Sequence, residues 1–260
     1  MKRMKICATA LLLIPAAAFA ASAFDGTWKF SADHIQLSKK PVVILLQDGA
    51  YICKSCLAPQ TVKADGTDQK LTGNPTIDTV AITVVDANTV TSVYKLGGKT
   101  VSTRKVVVAA DGKSLVDETT SLYGSEPQVY KERMTRIAAG PAGSHACSGS
   151  WHESKLLTAT GPGNLVKYGM TDSGFTMSSN GQSYNAKFDD KQYLTMGDPA
   201  KTMVSLKKVS DSEVIETDSE DGKPVETEDM TLSADGNTMH VVDTTLYNKS
   251  VQHYDLNKQP

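Results

Sequence analysis

The chain has 260 residues, of which 22% are charged, and its formal net charge at pH 7 is −2. This length leaves room for two domains of roughly 100 residues each. The near-neutral balance gives no general electrostatic case for nucleic-acid binding.

The first 23 residues have the pattern of a secretory signal peptide. Lys2, Arg3 and Lys5 form a basic start, an apolar run follows over residues 7–18, and small residues offer cleavage sites up to Ala23. The apolar run is too short for a membrane span. We therefore expect a periplasmic or secreted bacterial protein with no membrane span.

The rest of the chain predicts an internal duplication. Between Lys63 and Tyr130, nineteen residues are identical to the residue 124 positions further on, without a gap. Gly26-Thr27-Trp28 recurs at an offset of 123 as Gly149-Ser150-Trp151. Small residues and one proline between the copies are typical of a linker. The predicted division is a signal peptide over 1–23, a β-domain over 24–137, a linker over 138–146 and a second β-domain over 147–260.

Each copy is predicted to be almost entirely β. Short runs rich in β-branched residues alternate with turn residues such as Asp48-Gly49 and Gly97-Gly98. The predicted strands of the first copy lie near residues 27–30, 42–46, 51–54, 61–63, 79–85, 90–95, 101–109, 114–122 and 128–137. Asp111-Gly112 suits a two-residue turn with positive φ at both residues. Connections this short require antiparallel pairing, so the fold class is all-β, with two tandem antiparallel β-barrels or, as the alternative, two β-sandwiches.

The opening motif of each copy resembles the first strand of the lipocalin and fatty-acid-binding-protein superfamily, which carries Gly-x-Trp. Gly26 and Trp28 form the motif in the first copy, and Gly149 and Trp151 form it in the second. The chain is also similar to uncharacterised exported bacterial proteins with the same tandem unit. The resemblance implies barrels that hold a small apolar molecule, with the tryptophans closing one barrel end. It also implies an arginine against the tryptophan, a role open to Arg133 or Arg136 in the first copy and to no arginine in the second.

Cys53 and Cys56 carry the sharpest local chemical signal. In an exported protein they predict a local disulfide, and a thiol-redox pair or a bridge from either cysteine to Cys147 are the alternatives. A further alternative is a metal site in which Cys53 and Cys56 are joined by Cys147 and by His145 or His152, since four such ligands suit a tetrahedral ion.

The charges of the two copies differ at equivalent positions. Arg104 aligns with Glu228, and Lys105 aligns with Asp229. If the copies pack about a pseudo-two-fold axis, these opposite charges meet and attract. The acidic stretch over residues 213–229 also admits a weak divalent-cation site, and two solvated hairpin faces are the remaining interpretation.

Enzyme motifs are absent from the sequence: it has no Gly-x-Ser-x-Gly elbow, no His-Glu-x-x-His and no phosphate loop. The expected function is therefore non-enzymatic binding of a small, largely apolar ligand, without a cofactor. The alternatives are an envelope structural or interaction protein without a ligand, and a redox or metal-binding protein acting through Cys53 and Cys56.

Overall fold

A computed structural model describes residues 22–56 and 60–260. The predicted signal peptide lies outside the described residues, except for Ser22 and Ala23. Within the described residues the regular structure is twenty β-strands and a single short 3₁₀ helix, Pro162–Asn164. None of the described helical structure is long and apolar enough to cross a membrane.

The first sheet, barrel one, has ten antiparallel strands that are consecutive in the chain. Its strands, β2 to β11, are Val42–Gln47, Ala50–Cys53, Gln60–Lys63, Gln69–Lys70, Thr79–Val84, Thr89–Leu96, Lys99–Val108, Ser114–Ser121, Gln128–Ala139 and Gly149–Thr160. All nine strands predicted in the first copy are present, and the two-residue strand β5 was not predicted. The last strand, β11, is the first strand of the second sequence copy.

The second sheet, barrel two, also has ten antiparallel strands, but they are not consecutive. Its strands, β1 and β12 to β20, are Gly26–Gln36, Leu165–Thr171, Gly174–Ser179, Gln182–Lys187, Tyr193–Leu194, Met203–Ser210, Glu213–Glu220, Lys223–Leu232, Thr238–Thr245 and Ser250–Lys258. The strand that opens the first sequence copy, β1, lies between β12 and β20.

The two copies have thus exchanged their first strands. A short connection follows β10, so β11 turns back and pairs with it as the second arm of a hairpin, with Arg136 opposite Trp151. Consecutive strands joined by a short connection are usually neighbours in space. Strand β11 occupies the place beside β10 and β2, and β1 fills the equivalent place in barrel two, with Trp28 opposite Lys258.

The sequence repeats consequently do not coincide with the barrels. Barrel one spans residues 42–160, and barrel two consists of β1 together with residues 165–258. The predicted boundary at 137 falls within β10, and the one at 147 falls in the connection that precedes β11. Residues 138 and 139 of the predicted linker belong to β10.

Both sheets curl until their edges nearly meet, which confirms the predicted tandem barrels rather than the sandwiches. In barrel two, Ser183 and Met196 exchange two backbone hydrogen bonds, of 3.0 and 2.8 Å. In barrel one, a bridge between Asp65 and Thr83 brings the segment after β4 onto β6. Closure of this kind removes exposed sheet edges.

Several two-residue turns have the chemistry that the sequence predicted, but Asp111-Gly112 does not. Asp48 and Gly49 have φ values of 51° and 74°, so both occupy the left-handed region required by a tight hairpin turn. At Asp111-Gly112 only the glycine has positive φ, 67°. The loop between β8 and β9 is longer than a two-residue turn. The hydrogen bond that closes it runs from the N–H of Ala109 to the carbonyl of Ser114, with residues 110–113 between them.

Each barrel encloses its own apolar core. Trp28, from β1, is packed in the core of barrel two, and Trp151, from β11, is packed in the core of barrel one. Both indoles are fully buried. The exchanged strands therefore contribute the largest core side chain of the barrel that receives them.

Candidate functional site

The tryptophans occupy equivalent positions under a basic side chain. Trp151 Nε1 donates to the carbonyl of Cys147 at 2.9 Å, and the guanidinium carbon of Arg136 lies 3.9 Å from the centre of the Trp151 ring. In barrel two, Trp28 Nε1 donates to the carbonyl of Phe24 at 2.8 Å, and Lys258 Nζ lies 5.2 Å from the ring centre. A cation over an aromatic face is attracted by the ring quadrupole, so both tryptophans are structural anchors of their barrels.

The motif glycines accompany these tryptophans. Gly26 and Gly149 have φ values of 136° and 141°, a region that side chains rarely enter. A Cβ at Gly149 would lie 2.3 Å from the carbonyl oxygen of Ala138. The glycine is therefore required for the close approach of β11 to β10.

The interior of barrel one contains a cavity of about 420 Å³, called cavity one here. It opens toward barrel two, which supplies part of its rim. The side chains from barrel one that line it are Tyr51, Cys53, Cys56, Val62, Leu71, Asn74, Thr76, Ile77, Val80, Ile82 and Tyr94, and those from barrel two are Glu220, Val225, Glu226, Thr245 and Tyr247. Most of the wall is apolar.

Strand alternation explains why these side chains face inward. On β6, Val80 and Ile82 are 3% and 1% exposed, and they point to the same face because successive side chains of a strand alternate. Tyr51 on β3 is also buried. Burial raises the pKa of the Tyr51 hydroxyl beyond the usual range of tyrosine, so this group stays neutral and adds no charge to the cavity.

The rim of cavity one includes two carboxyl groups from barrel two. Burial, followed by the neighbouring carboxyl of Asp243, raises the pKa of Glu226 to about 10. Burial also raises the pKa of Glu220, with further contributions from Asp198 and Asp221. Glu226 is therefore uncharged near neutral pH, and the rim around it does not oppose the entry of an apolar molecule.

Cys53 and Cys56 form a disulfide that lines cavity one, so the predicted bond is confirmed. Cys147 is a free thiol that is 1% exposed, and burial raises its pKa to about 11. The alternative bridge from Cys147 to Cys53 or Cys56 is therefore wrong.

The predicted metal set is not assembled. Over residues 22–56 and 60–260, no group of three or more His, Cys, Asp or Glu side chains is arranged to hold a metal ion. Cys53 and Cys56 are bonded to each other, and His145 is occupied by backbone groups, since Nε2 lies 2.7 Å from the carbonyl of Asp86 and Nδ1 accepts the N–H of Cys147. His152 follows Trp151 on β11 and points to the opposite face of that strand.

The predicted charge pairs between the copies are also not formed. Arg104 lies inside barrel one and makes a bidentate ion pair with Asp117, with Nε 2.9 and 2.8 Å from the two carboxylate oxygens. Glu228 lies inside barrel two, where it accepts a hydrogen bond from Tyr254 at 2.9 Å. Inward-facing positions of two separate barrels cannot meet at an interface between them.

The other two members of the predicted pairs are likewise satisfied locally. Lys105 lies opposite Glu118 on the neighbouring strand and lowers the pKa of that carboxyl, after the larger effect of Lys131. Asp229 accepts a hydrogen bond from Thr231 at 3.5 Å. The contacts of Lys105 and of Asp229 therefore lie within their own barrels, and the predicted pair between these two residues is not formed.

Barrel two contains a second cavity, called cavity two here, of about 400 Å³. Its wall combines aromatic rings, carboxyl groups and a few apolar side chains. The aromatic members are Phe30, Tyr130, Tyr168 and Tyr254, and the acidic members are Glu132, Glu216, Asp218 and Glu228. No lysine, arginine or histidine among the described residues lines it.

The carboxyl groups of cavity two are strongly perturbed. Burial raises the pKa of Asp218 to about 7, and the charges of Glu228 and Glu220 add to the effect. Burial likewise raises the pKa of Glu228 and of Glu132 to about 7. The pKa of Glu216 is also raised, first by burial and then by Asp218 and Glu228. Acidic side chains held close together in a dry place disfavour one another's ionisation.

One interpretation of the acidic stretch, two solvated hairpin faces, is wrong for Glu216, Asp218 and Glu228, which line the interior of barrel two. The strand β17 has the alternation Val214, Glu216, Asp218, and the buried valine at its start marks the inward face. Reading that alternation instead of the total charge would have placed both acids inside the barrel.

No family model, curated protein or solved structure matches this chain. The resemblance to lipocalins therefore stays a prediction, and the function is argued from the geometry of the cavities alone.

Proposed function

We propose that the protein is a non-enzymatic binding protein for a small, largely apolar ligand, which cavity one holds. The observation that carries the proposal is the cavity itself, about 420 Å³ in volume and walled mainly by buried aliphatic side chains such as Val80 and Ile82. Ligand sites in proteins are typically concave and apolar, with a small number of polar groups. The half-buried side chains of Leu71 and Ile77 extend this wall.

Both barrels contribute to the site. The body of the cavity belongs to barrel one, whereas Val225 and Tyr247 of barrel two contribute to its rim. This arrangement gives a reason for two linked barrels, since the rim of cavity one depends on the second barrel.

We further propose that the protein acts outside the cytoplasm, as the signal peptide predicts. The Cys53–Cys56 disulfide supports this location, because such bonds persist in oxidising compartments. Cell fractionation, with N-terminal sequencing of the exported product, tests the location. A full-length product retained in the cytoplasm would contradict it.

The binding proposal is tested with the uncharged fluorophore N-phenyl-1-naphthylamine, whose emission rises in an apolar environment. The variant Leu71→Phe/Ile77→Phe adds bulk to the wall of cavity one, and the matched control Val84→Phe/Val85→Phe adds the same bulk at exposed positions. We expect binding by the native chain and the control, and at least about tenfold weaker binding by the filled variant, since the added rings occupy space that the ligand needs.

Two results would overturn the proposal. One is the absence of any fluorescence gain with the native chain. The other is equal binding by the native chain and the filled variant, with both folded as judged by circular dichroism, because the probe would then be bound elsewhere.

A further inference from the structure

Cavity two differs from cavity one in the chemistry of its wall. Three acidic side chains of barrel two project into it from the neighbouring strands β17 and β18: Glu216, Asp218 and Glu228. A fourth, Glu132, reaches it from barrel one. Arg104 and Asp117 act on Glu132 from within barrel one, and Arg104 is already paired with Asp117. The acids of barrel two therefore have no basic partner in the wall around them.

The polar groups of this wall are incompletely satisfied. Glu216 is 7% exposed and accepts a hydrogen bond from Tyr184, and Glu228 accepts one from Tyr254. Asp218 is hydrogen-bonded to the carboxyl of Glu216, and no N–H or O–H of another described residue reaches its buried Oδ1. Buried carboxyl groups whose remaining partners are one another are costly and call for an explanation.

Tyr168 gives a second and independent indication. It is 6% exposed and lines the cavity, yet its hydroxyl makes no hydrogen bond within the described part of the chain. Its ring stacks on Phe175 with 5.1 Å between centres, which fixes the side chain in place. The hydroxyl of this fixed side chain lies near Glu216, Asp218 and Glu228 and offers a further contact to a bound molecule.

The aromatic rings complete the surroundings. Phe30 and Tyr254 lie 5.6 Å apart, and the Tyr254 hydroxyl holds Glu228. Aromatic faces attract cations, and the attraction grows when water is excluded. Carboxylates and aromatic faces together are the chemistry that recognises an organic ammonium or amidinium group.

A bare metal ion fits this wall less well than a polyatomic cation. The carboxyl groups are not grouped so that three or more of them converge on one point, as judged over the described residues. They are spread around a space of about 400 Å³. A cation with several N–H donors and an apolar body bridges separated carboxylates and also fills such a volume.

We propose that cavity two is a second binding site, which takes a small organic cation with an apolar or aromatic body. Glu216, Asp218 and Glu228 hold the charged group, and Phe30, Tyr168 and Tyr254 surround the body. This site is separate from cavity one and does not rest on the function proposed for that cavity.

The proposal implies a coupling between binding and proton release. A cation is bound by ionised carboxyl groups, so Asp218 and Glu228, whose pKa values of about 7 are set by burial, must lose their protons when it enters. Affinity for the cation therefore rises as the pH increases through about 7. Affinity for an uncharged molecule of the same shape lacks this dependence.

The test uses two pairs of probes that differ in charge but not in size: phenethylammonium with 2-phenylethanol, and benzamidinium with benzamide. Binding to the native full-length chain is measured by titration calorimetry at pH 6 and pH 8, in two buffers of different ionisation enthalpy. We expect each cation to bind at least about tenfold more tightly than its neutral partner at pH 8. A tenfold change in the dissociation constant is what one hydrogen bond to a charged group contributes. We also expect the buffer dependence that reports proton release.

Variants locate the site. Asp218→Asn/Glu228→Gln keeps the shape of the cavity and removes two of the three acids of barrel two, and we expect it to reduce the preference for the cation at least about tenfold. Asp229→Asn is the matched control, because this residue follows Glu228 on β18 and points to the outer face of the barrel. We expect the control to bind as the native chain does.

Three results would overturn the proposal. The first is that neither cation binds more tightly than its neutral partner, which would mean that the carboxyl groups stay protonated and the cavity is a neutral one. The second is a preference for cations that is unchanged in the double variant. The third, decisive even if the variant fails to fold, is cation binding by the native chain that does not strengthen from pH 6 to pH 8.

Discussion

The two barrels have the same arrangement of strands, but different side chains line their interiors. At three equivalent inward positions, barrel one has Ser92, Tyr94 and Arg104, and barrel two has Glu216, Asp218 and Glu228. Both keep a buried tryptophan under a cation at the end of the barrel. The difference teaches that the duplication preserved the strands and turns while the lining of each interior changed, so the two cavities suit different molecules.

The electrostatics of the two interiors differ in the same way. In barrel one, the buried guanidinium of Arg104 is paired with Asp117, although Glu132 and Glu153 of the same barrel are also acids with raised pKa values. Barrel two collects carboxyl groups around cavity two without a basic partner in the wall. The acids of barrel two are therefore neutralised by protons or, as proposed, by a bound cation.

The largest effect on folding is expected when two alternative fragments of the chain are compared, one cut at the sequence repeat and one cut at the barrel. A fragment of residues 24–146, one sequence repeat, lacks β11 and leaves β1 without its partners β12 and β20. A fragment of residues 38–161 keeps all ten strands of barrel one. We expect the first fragment to remain unfolded and the second to unfold cooperatively in urea, measured by circular dichroism. A folded 24–146 fragment would show that β1 can replace β11 in barrel one.

The next largest effect on stability is expected from substitutions at Arg104 and Glu228, which are equivalent positions of the two barrels. Arg104→Met leaves Asp117 buried without its partner, and removal of one member of a buried ion pair costs about 3–5 kcal/mol. Glu228→Gln, in contrast, removes a charge that its surroundings disfavour. We expect Arg104→Met to lower the free energy of unfolding by that amount, and Glu228→Gln to leave it unchanged or to raise it. Equal losses in urea titrations would contradict the contrast.

The sequence determines part of this fold through local signals. Nine strands of the first copy could be placed from turn residues and β-branched runs, because both signals are local. The exchange of β1 and β11 could not be predicted, since the two strands carry the same Gly-x-Trp motif, which does not distinguish the barrels. Connection length does not decide it either: β11 pairs with β10 across the connection from Ala139 to Gly149, whereas β1 and β2, joined by a shorter connection, lie in different sheets.

The candidate sites were predictable only in part. The Cys53–Cys56 disulfide follows from spacing and compartment, and it lies on the wall of cavity one. Cavity two was missed because inward acids on alternate strand positions look like an exposed acidic stretch when they are counted as total charge. The pairing of Arg104 with Asp117, thirteen residues away on the next strand, needed the strand register to be known.

Acidity is expected to affect the interior of barrel two strongly. The folded-state pKa values of Glu132, Asp218 and Glu228, all facing cavity two, are raised to about 7. The folded state therefore holds protons that the unfolded chain loses at lower pH. Their contribution to stability is fully present below the ordinary carboxyl pKa of about 4 and is lost as the pH rises through about 7.

We expect the free energy of unfolding to fall across that window by about 3 kcal/mol for each carboxyl group whose pKa is displaced from about 4 to about 7, apart from other titrating groups. Urea titrations at pH 4.5, 6 and 8 measure it. In the triple variant Glu132→Gln/Asp218→Asn/Glu228→Gln the fall should be much smaller. The expectation would be contradicted if the free energy of unfolding changed by the same amount in the native chain and in the triple variant between pH 4.5 and pH 8.

The smallest effect concerns the one covalent difference between the barrels. Where barrel one has the Cys53–Cys56 disulfide, barrel two has Met177 and Asn180, which pack and hydrogen-bond instead. The bridge closes a loop with a sequence separation of only 3, so its loss through Cys53→Ser/Cys56→Ser should lower stability by less than about 2 kcal/mol. Thermal unfolding of both forms tests this. A variant that no longer folds would assign the bridge a larger role.

The position of β1 has a consequence for the order in which the molecule is assembled. A chain that is synthesised or threaded through a pore from its N-terminus delivers every strand of barrel one by Thr160, whereas barrel two needs β20, which ends at Lys258. The earliest strand to emerge can pair with β12 once Thr171 has appeared, but its other neighbour is the last strand of the chain, so barrel two stays open beside Trp28 until then. One barrel matures early and the other late, and the interval between them is when a protective chaperone is most needed.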